Sequence, residues 1–198
     1  MKTLTDMINA AYKVGEAGIM VDTAEHPFHR MLLTDVTDLI TKESILVAHC
    51  RPMASQQQPG TGEEAPWRLA GCVKVDVGAS TPEDKDAGQV VGEWGCLCVN
   101  EEHQGQGLGS LLVSAAEEHL RTVGGCDTSQ LELLTPSNWQ HEHKERLRVW
   151  YTHKLGYELK EGSGKYAEST ETIKEGVCLL GRFLLATDSD FTVYRRRF

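Results

Sequence analysis

No stretch of this 198-residue chain approaches the ~20 apolar residues that a membrane-spanning helix needs. Its N-terminal segment lacks the apolar core of a secretory signal, because Asp6, Asn9, Lys13 and Glu16 interrupt it. Positive charge is scarce. Twenty Lys and Arg stand against 29 Asp and Glu, for a formal net charge of −9. That deficit argues against broad nucleic-acid binding, which needs a basic face. The one basic run, Arg195-Arg196-Arg197, fits a final strand that alternates in and out. The six cysteines, Cys50, Cys72, Cys96, Cys98, Cys126 and Cys178, include no C-x-x-C pair. Cys96 and Cys98 lie two apart in an expected strand, which is not zinc-ligand spacing, and no metal is expected. They read as reduced, mostly buried thiols of a reducing compartment. The expectation is a soluble, cytoplasmic protein that engages neither nucleic acid nor membrane. No internal repeat occurs.

Forty per cent of residues are hydrophobic and 25% are charged, as in ordinary globular proteins. A chain this long buries roughly 70% of its unfolded surface without staples. One domain over residues 1–198 is expected. Residues 3–19 carry an apolar helical stripe, and Thr3 with Asp6 resembles a capping box. A second helix is expected over 28–43 and a short strand over Ile45–Cys50. Residues 51–66 read as a polar loop. Trp67–Val77 and Gln89–Val99 alternate as strands around a second polar loop, 78–88. Val91, Glu93, Gly95, Leu97 and Val99 fall on one face of the latter strand, with Trp94, Cys96 and Cys98 on the other. Gly107–Val123 is a strong amphipathic helix ended by Gly124-Gly125. Then come a strand at Leu131–Thr135, a helix over 141–155, a strand at Tyr157–Leu159, a polar loop over 161–175, a short apolar piece at Val177–Leu185, and a last strand at Phe191–Arg196.

The order α-α-β-β-β-α-β-α-β-β implies an α/β fold with a mixed, mostly antiparallel central sheet. The first three strands form a meander. The helix between Val99 and Leu131 is a crossover that makes its flanking strands parallel neighbours. Helices on both faces are the natural packing.

The segment Gln104-Gly-Gln-Gly107-Leu-Gly109-Ser110 leads from strand into helix. Its glycines admit close backbone approach, and the first helical amides have no internal partners. This is the physical logic of a phosphate cradle. A P-loop would need Lys before its Ser or Thr, and Leu108-Gly109-Ser110 supplies none. The glycines at 105, 107 and 109 also lack the G-x-G-x-x-G spacing of a dinucleotide fold.

Gln104, Gly107 and Gly109 resemble the hallmark of the GNAT superfamily of acyl-CoA N-acyltransferases: Gln or Arg, two residues, Gly, one residue, Gly or Ala. Glu93–Val99 is similar to the family's fourth strand, and Gly107–Leu120 to its cofactor helix. Trp150-Tyr151 and Leu155-Gly156-Tyr157 are similar to its last helix and exit. The resemblance covers roughly residues 3–160. It implies acetyl transfer from acetyl-CoA to a primary amine by direct attack, with no metal. The amides of Gln104, Gly105, Gln106, Gly107, Leu108, Gly109 and Ser110 would hold the CoA pyrophosphate. The backbone of Leu97, Cys98 and Val99 would pair with the pantetheine arm, and an amide there would stabilise the oxyanion. Asn138 would contact the cofactor. The implied partners are a small-molecule or peptide amine acceptor and a second copy of the chain as a homodimer. A non-catalytic CoA-binding or regulatory module on the same fold is the alternative.

An amine must lose a proton before attacking, and the departing thiolate must gain one. The resemblance offers Glu93 as base and Tyr151 as acid. A regular strand would put Glu93 on one face with Leu97 and Val99. The family's tyrosine sits four residues before the helix-ending glycine, whereas Tyr151 precedes Gly156 by five. On a regular helix that turns the side chain by about 100°. Either the helix bulges there, or Tyr151 is core and the acid lies elsewhere. Cys96 or Cys98 as an acyl-enzyme nucleophile lacks any Cys-His signal. His141 and His143 read as solvated or capping, and His103 as a surface residue beside the cradle. Acceptor specificity is expected in the first two helices and in the 52–66, 78–88 and 161–175 segments.

Overall fold

A computed structural model describes residues 1–51, 66–160 and 170–198. The 52–66 loop therefore lies outside the described residues except for its last position, and so does most of 161–175. Helix α1 spans Lys2–Gly15. It buries Leu4 and Ile8 at helical spacing against Met31, Val36, Ile45 and the thiols of Cys72, Cys96 and Cys98. No side chain caps it, so the Thr3–Asp6 box does not form. The helix starts two residues too early for Thr3 to be its N-cap, and Thr5 Oγ1 donates instead to the Met1 carbonyl at 3.2 Å. Helix α2 spans Leu33–Thr41 and is shorter than expected. Its start is fixed where the Asp35 carboxylate accepts the Leu32 N–H at 2.7 Å.

Strand β1 (Ile45–Cys50), β2 (Arg68–Asp76) and β3 (Val91–Val99) form the expected antiparallel meander. The 78–88 loop contains a short helix, α3 (Pro82–Asp86), which periodicity over so few residues did not reveal. Thr81 caps it, and Arg195 grips its Asp84 with two hydrogen bonds of 2.6 and 2.8 Å. Helix α4 (Leu108–Thr122) crosses over to β4 (Thr128–Pro136), which runs parallel to β3. Helix α5 (Glu142–Val149) continues into a π turn over Trp150–Lys154. Strands β5 (Glu158–Leu159), β6 (Thr170–Ile173), β7 (Cys178–Leu179), β8 (Phe183–Leu184) and β9 (Ser189–Arg197) complete the chain. Residues 170–173, expected as loop, are a strand because β9 offers them a partner edge.

The sheet runs β1-β2-β3-β4-β9-β5, with β6 also paired to β9. Helices α1 and α2 cover one face, and α4 with α5 the other. Arg195 and Arg196 alternate along β9 as expected. Arg195 reaches Asp84 and Gln130, and Arg196 reaches Glu117 and the Leu155 carbonyl. Among the described residues, no helix is long and apolar enough to cross a membrane.

Candidate active site

Two breaks in the sheet create the site. The first is a bulge in β3. Cys72 pairs with Cys98 and Lys74 with Gly95, so Val73 alone opposes both Cys96 and Leu97. Cys96 takes φ 48°, which is costly for a residue with a Cβ. The extra residue reverses the strand's alternation. Trp94 packs in the core beneath α4, and so do Leu97 and Val99, whereas Cys96 and Cys98 face α1 and α2. Glu93, which alternates with Trp94, thus does not share a face with Leu97 and Val99. That expectation assumed a regular strand.

The second break is the parting of β3 and β4. They pair only from Val91–Thr128 to Glu93–Gln130, and no further pair forms toward their C-terminal ends. The edge of Leu97–Val99 toward β4 is left open.

At the C-terminal end of β3 the chain turns through Glu101–His103 into the cradle. Gly105 and Gly107 have φ of 73° and 85°, the left-handed region that favours glycine. A Cβ at either would meet no atom within 4 Å, so open space rather than packing surrounds them. Gly107 is the N-cap of α4, and no side chain caps that helix. Among the described residues, no acceptor takes the N–H groups of Leu108, Gly109 or Ser110. The Gln104 side chain folds back, its Nε2 donating to the Val99 carbonyl at 3.2 Å, and Gln106 Nε2 donates to the Glu102 carbonyl at 2.9 Å. Side chains thus clear the cradle and leave backbone donors. These free amides and the dipole behind them fit a pyrophosphate. An open hollow of about 500 Å³ runs along α5 beside Trp150, whose ring lies 3.7 Å from where a Gly109 Cβ would stand.

Beneath the parting strands, Tyr151 is buried with its ring edge-on to Trp94 at 5.7 Å. The Leu155 N–H donates to the Trp150 carbonyl at 3.1 Å, five residues back. The helix therefore bulges here, and Tyr151 is at the same time a member of the core cluster beneath α4. Burial, then the charge of Glu16, then Tyr194 push the Tyr151 hydroxyl well above its ordinary value. It is a protonated hydroxyl at physiological pH. Glu16 forms a buried pair with Lys144 at 2.6 Å, and its second oxygen, Oε2, is buried with no partner among the described residues. Trp94 is itself anchored: its Nε1 donates to Tyr157 Oη at 2.7 Å, and that hydroxyl also meets Ser129 and Glu117.

Glu93 accepts from Gln130 Nε2 at 3.2 Å. Burial raises its carboxyl, against the pull of Lys74. Glu132, two residues past Gln130 on β4, is exposed on the same face. Crowding by surrounding protein, then the charge of Glu93, raise its carboxyl to about 7. Sequence reading missed Glu132, because one acidic residue in an apolar strand looks like an ordinary solvent-facing position. The signal becomes visible only when β4 is placed beside Glu93. Asn138 lies in the turn after β4, its Oδ1 accepting from Thr187 at 3.1 Å. The thiols of Cys96 and Cys98 are buried, and a hydrogen bond with Cys72 followed by burial holds Cys98 well above its ordinary value. A thiol so held is a poor nucleophile. Among the described residues, no group of three His, Cys, Asp or Glu is placed to hold a metal ion.

The mixed sheet thus parts beside an uncapped, glycine-flanked helix. Residues 61–154 match the family model described as the acetyltransferase (GNAT) family. Over those residues the chain is similar to the GNAT acetyltransferases, a family of enzymes. No curated protein sequence matches it. The fold is similar to that of yncA from Salmonella typhimurium, solved with its cofactor acetyl-CoA (16% identity, TM-score 0.54, covering 98% of this chain and 86% of that one). It is similar to a GNAT-family acetyltransferase from Listeria monocytogenes (14%, 0.54, 100% and 88%). It is also similar to Arabidopsis thaliana NAA60 in complex with a bisubstrate analogue (12%, 0.53, 98% and 92%).

Proposed function

We propose that the protein, acting as one domain over residues 1–198, transfers an acetyl group from acetyl-CoA to a primary amine by direct attack. One observation carries this reading: the unpartnered amides of α4 open at the place where β3 and β4 part, with ionisable side chains on the far side of β3. Acetyl-CoA supplies the activated thioester. The backbone of Gln104 through Ser110 holds its pyrophosphate, the open edge of Leu97, Cys98 and Val99 receives the pantetheine arm, and Asn138 contributes its amide at the same end of the sheet.

Glu93 and Glu132 act together as proton acceptor for the incoming ammonium. Two carboxyls in one field share their titration, and crowding by surrounding protein with the charge of Glu93 keeps the Glu132 proton affinity near the working pH. Tyr151 retains its proton until a strong base appears nearby, which suits it to return a proton to the leaving sulfur. Its position under the parting strands supports that role.

The reading is tested by titrating acetyl-CoA calorimetrically into wild type and Gly107→Glu, alongside thiol release with a panel of amines. Wild type is expected to bind and turn over. Gly107→Glu is expected to lose binding by at least tenfold, since its carboxylate enters the anion's place and its Cβ strains φ 85°. Equal binding by both would remove the cradle assignment.

A further inference from the structure

The segment joining α1 to α2 carries one side chain that the acetyl-transfer reading leaves unused. Arg30 is half-buried. Its guanidinium carbon lies 4.8 Å from the Tyr12 ring centre and 5.7 Å from that of Phe183. It also reaches the Cys96 thiol at the β3 bulge. Among the described residues, no carboxylate lies within ion-pair distance of it and no oxygen accepts a hydrogen bond from it. Other arginines of this fold are paired: Arg195 with Asp84, Arg196 with Glu117, Arg182 with Asp35, Arg148 with Glu145. The fields of Glu16, Glu93 and Glu132 reach Arg30, but at longer range than a contact.

A guanidinium never sheds its charge at physiological pH. Partial burial strips it of water, and beyond the Cys96 sulfur, stacking on aromatic faces leaves its N–H donors without an oxygen acceptor. The fork of donors matches a planar carboxylate in bidentate fashion. On the same side of the sheet, Glu93 and Glu132 offer negative charge to an ammonium. A cation and a carboxylate pair that act on one another without touching leave room for a ligand carrying both opposite charges.

We propose that Arg30 is the carboxylate receptor of the acceptor cleft, so that the amine acceptor is a small amino acid bearing its own free carboxylate. This rests on the acetyl-transfer reading above. Binding then orders the acceptor end to end. Its carboxylate docks on Arg30, and its amine is presented to the acidic pair beside the bulge. Arg30 is a specificity residue, acting on which amines are admitted rather than on the proton transfers.

The test is steady-state acetyl transfer to matched acceptors: amino acids, their carboxamides, the corresponding decarboxylated amines, and an aminoalkyl phosphate. Wild type is expected to favour the free acids by about 10- to 100-fold in kcat/KM, the range of a lost charge-assisted hydrogen-bonded contact. The difference should lie mainly in KM. Arg30→Met is expected to bring the ratio of acid to carboxamide to near one, and Arg30→Lys to restore it in part. A wild type that uses carboxamides as well as acids overturns the proposal, as does an Arg30→Met variant that keeps the preference. Preference for the phosphate overturns the carboxylate assignment. Should Arg30→Met fail to fold, the wild-type ratio decides alone. Calorimetry separates the two readings. Absence of acetyl-CoA binding removes the transfer reading and this one with it, whereas binding and turnover without acid preference removes only this one.

Discussion

Replacing Lys144 by Met should destabilise the protein by about 3–5 kcal/mol, because it leaves the Glu16 carboxylate buried without its counter-charge. The side chains of Lys144 and Glu16 are 6% and 8% exposed and meet at 2.6 Å. One Glu16 oxygen already has no described partner, so removal of the ammonium strands the whole group. A domain's total stability is about 5–15 kcal/mol, so the loss is a large fraction of it. Urea unfolding followed by circular dichroism reads the change as a shift in midpoint at constant slope. The control is Arg121→Ala, which breaks a pair of 55% and 59% exposure with Glu118 and should cost less than about 1 kcal/mol. The decisive arm is the double variant Glu16→Gln, Lys144→Met. With both charges gone, most of the loss should return, since two apolar or neutral groups tolerate burial far better than one orphaned ion. If Lys144→Met costs no more than Arg121→Ala, or if the double variant is as unstable as the single, the pair is not a buried interdependent unit. Because the charge of Glu16 also helps hold up the Tyr151 proton, the double variant should carry a Tyr151 hydroxyl that titrates lower than in wild type.

Two further predictions concern the cleft and its support. Glu132→Gln should remove an acidic limb near pH 7 from kcat/KM, and Glu93→Gln should lower kcat/KM and flatten that limb; an unchanged profile in both variants removes the pair from the chemistry. Stability gives an independent reading of Glu132. Its folded carboxyl is raised from 4.5 to about 7, so its stabilising contribution is complete below pH 4.5 and disappears as pH climbs through 7. Glu132→Gln should therefore gain on wild type between urea midpoints at pH 5 and pH 8, and a constant difference would contradict the shift. Tyr157→Phe should cost about 3 kcal/mol in urea unfolding, since it orphans the Trp94 Nε1–H and a Glu117 oxygen in the core; a loss below about 0.5 kcal/mol would mean that neither group depends on that hydroxyl.

The frame of the site was legible in the sequence because its signals are local. Gln104–Ser110 punctuates a strand-to-helix turn with glycines, and the structure gives two of them the left-handed backbone that only such residues adopt freely. The long stripe from Leu108 to Leu120 fixes α4, and alternation fixes β2 and β3 as strands. The five-residue spacing from Tyr151 to Gly156 left a local bulge or a core tyrosine open, and the structure has both. What was illegible depends on partners distant in sequence. The bulge in β3 sits at Cys96, a residue type with no preference for φ 48°, and it exists because β2 has one residue fewer across from it. Glu132 has meaning only beside Glu93, and Arg30 only beside Tyr12, Phe183 and Cys96. Helix α3 is held by Arg195, which is 111 residues away from Asp84.

The bulge at Cys96 makes β3 a strand with a change of handed allegiance partway along its length. Upstream of it the odd-numbered positions look toward the acceptor side, and downstream the even-numbered ones do. Such a strand cannot lose its bulge with every residue kept without turning half of itself inside out. A regular β3 with every residue kept would carry the thiols of Cys96 and Cys98 into the layer under α4 and thrust Leu97 and Val99 toward α1. Deleting Cys96 itself, by contrast, would erase the bulge and leave Leu97 and Val99 on the α4 side with Cys98 on the other, so the strand's two halves are set in phase by that one residue.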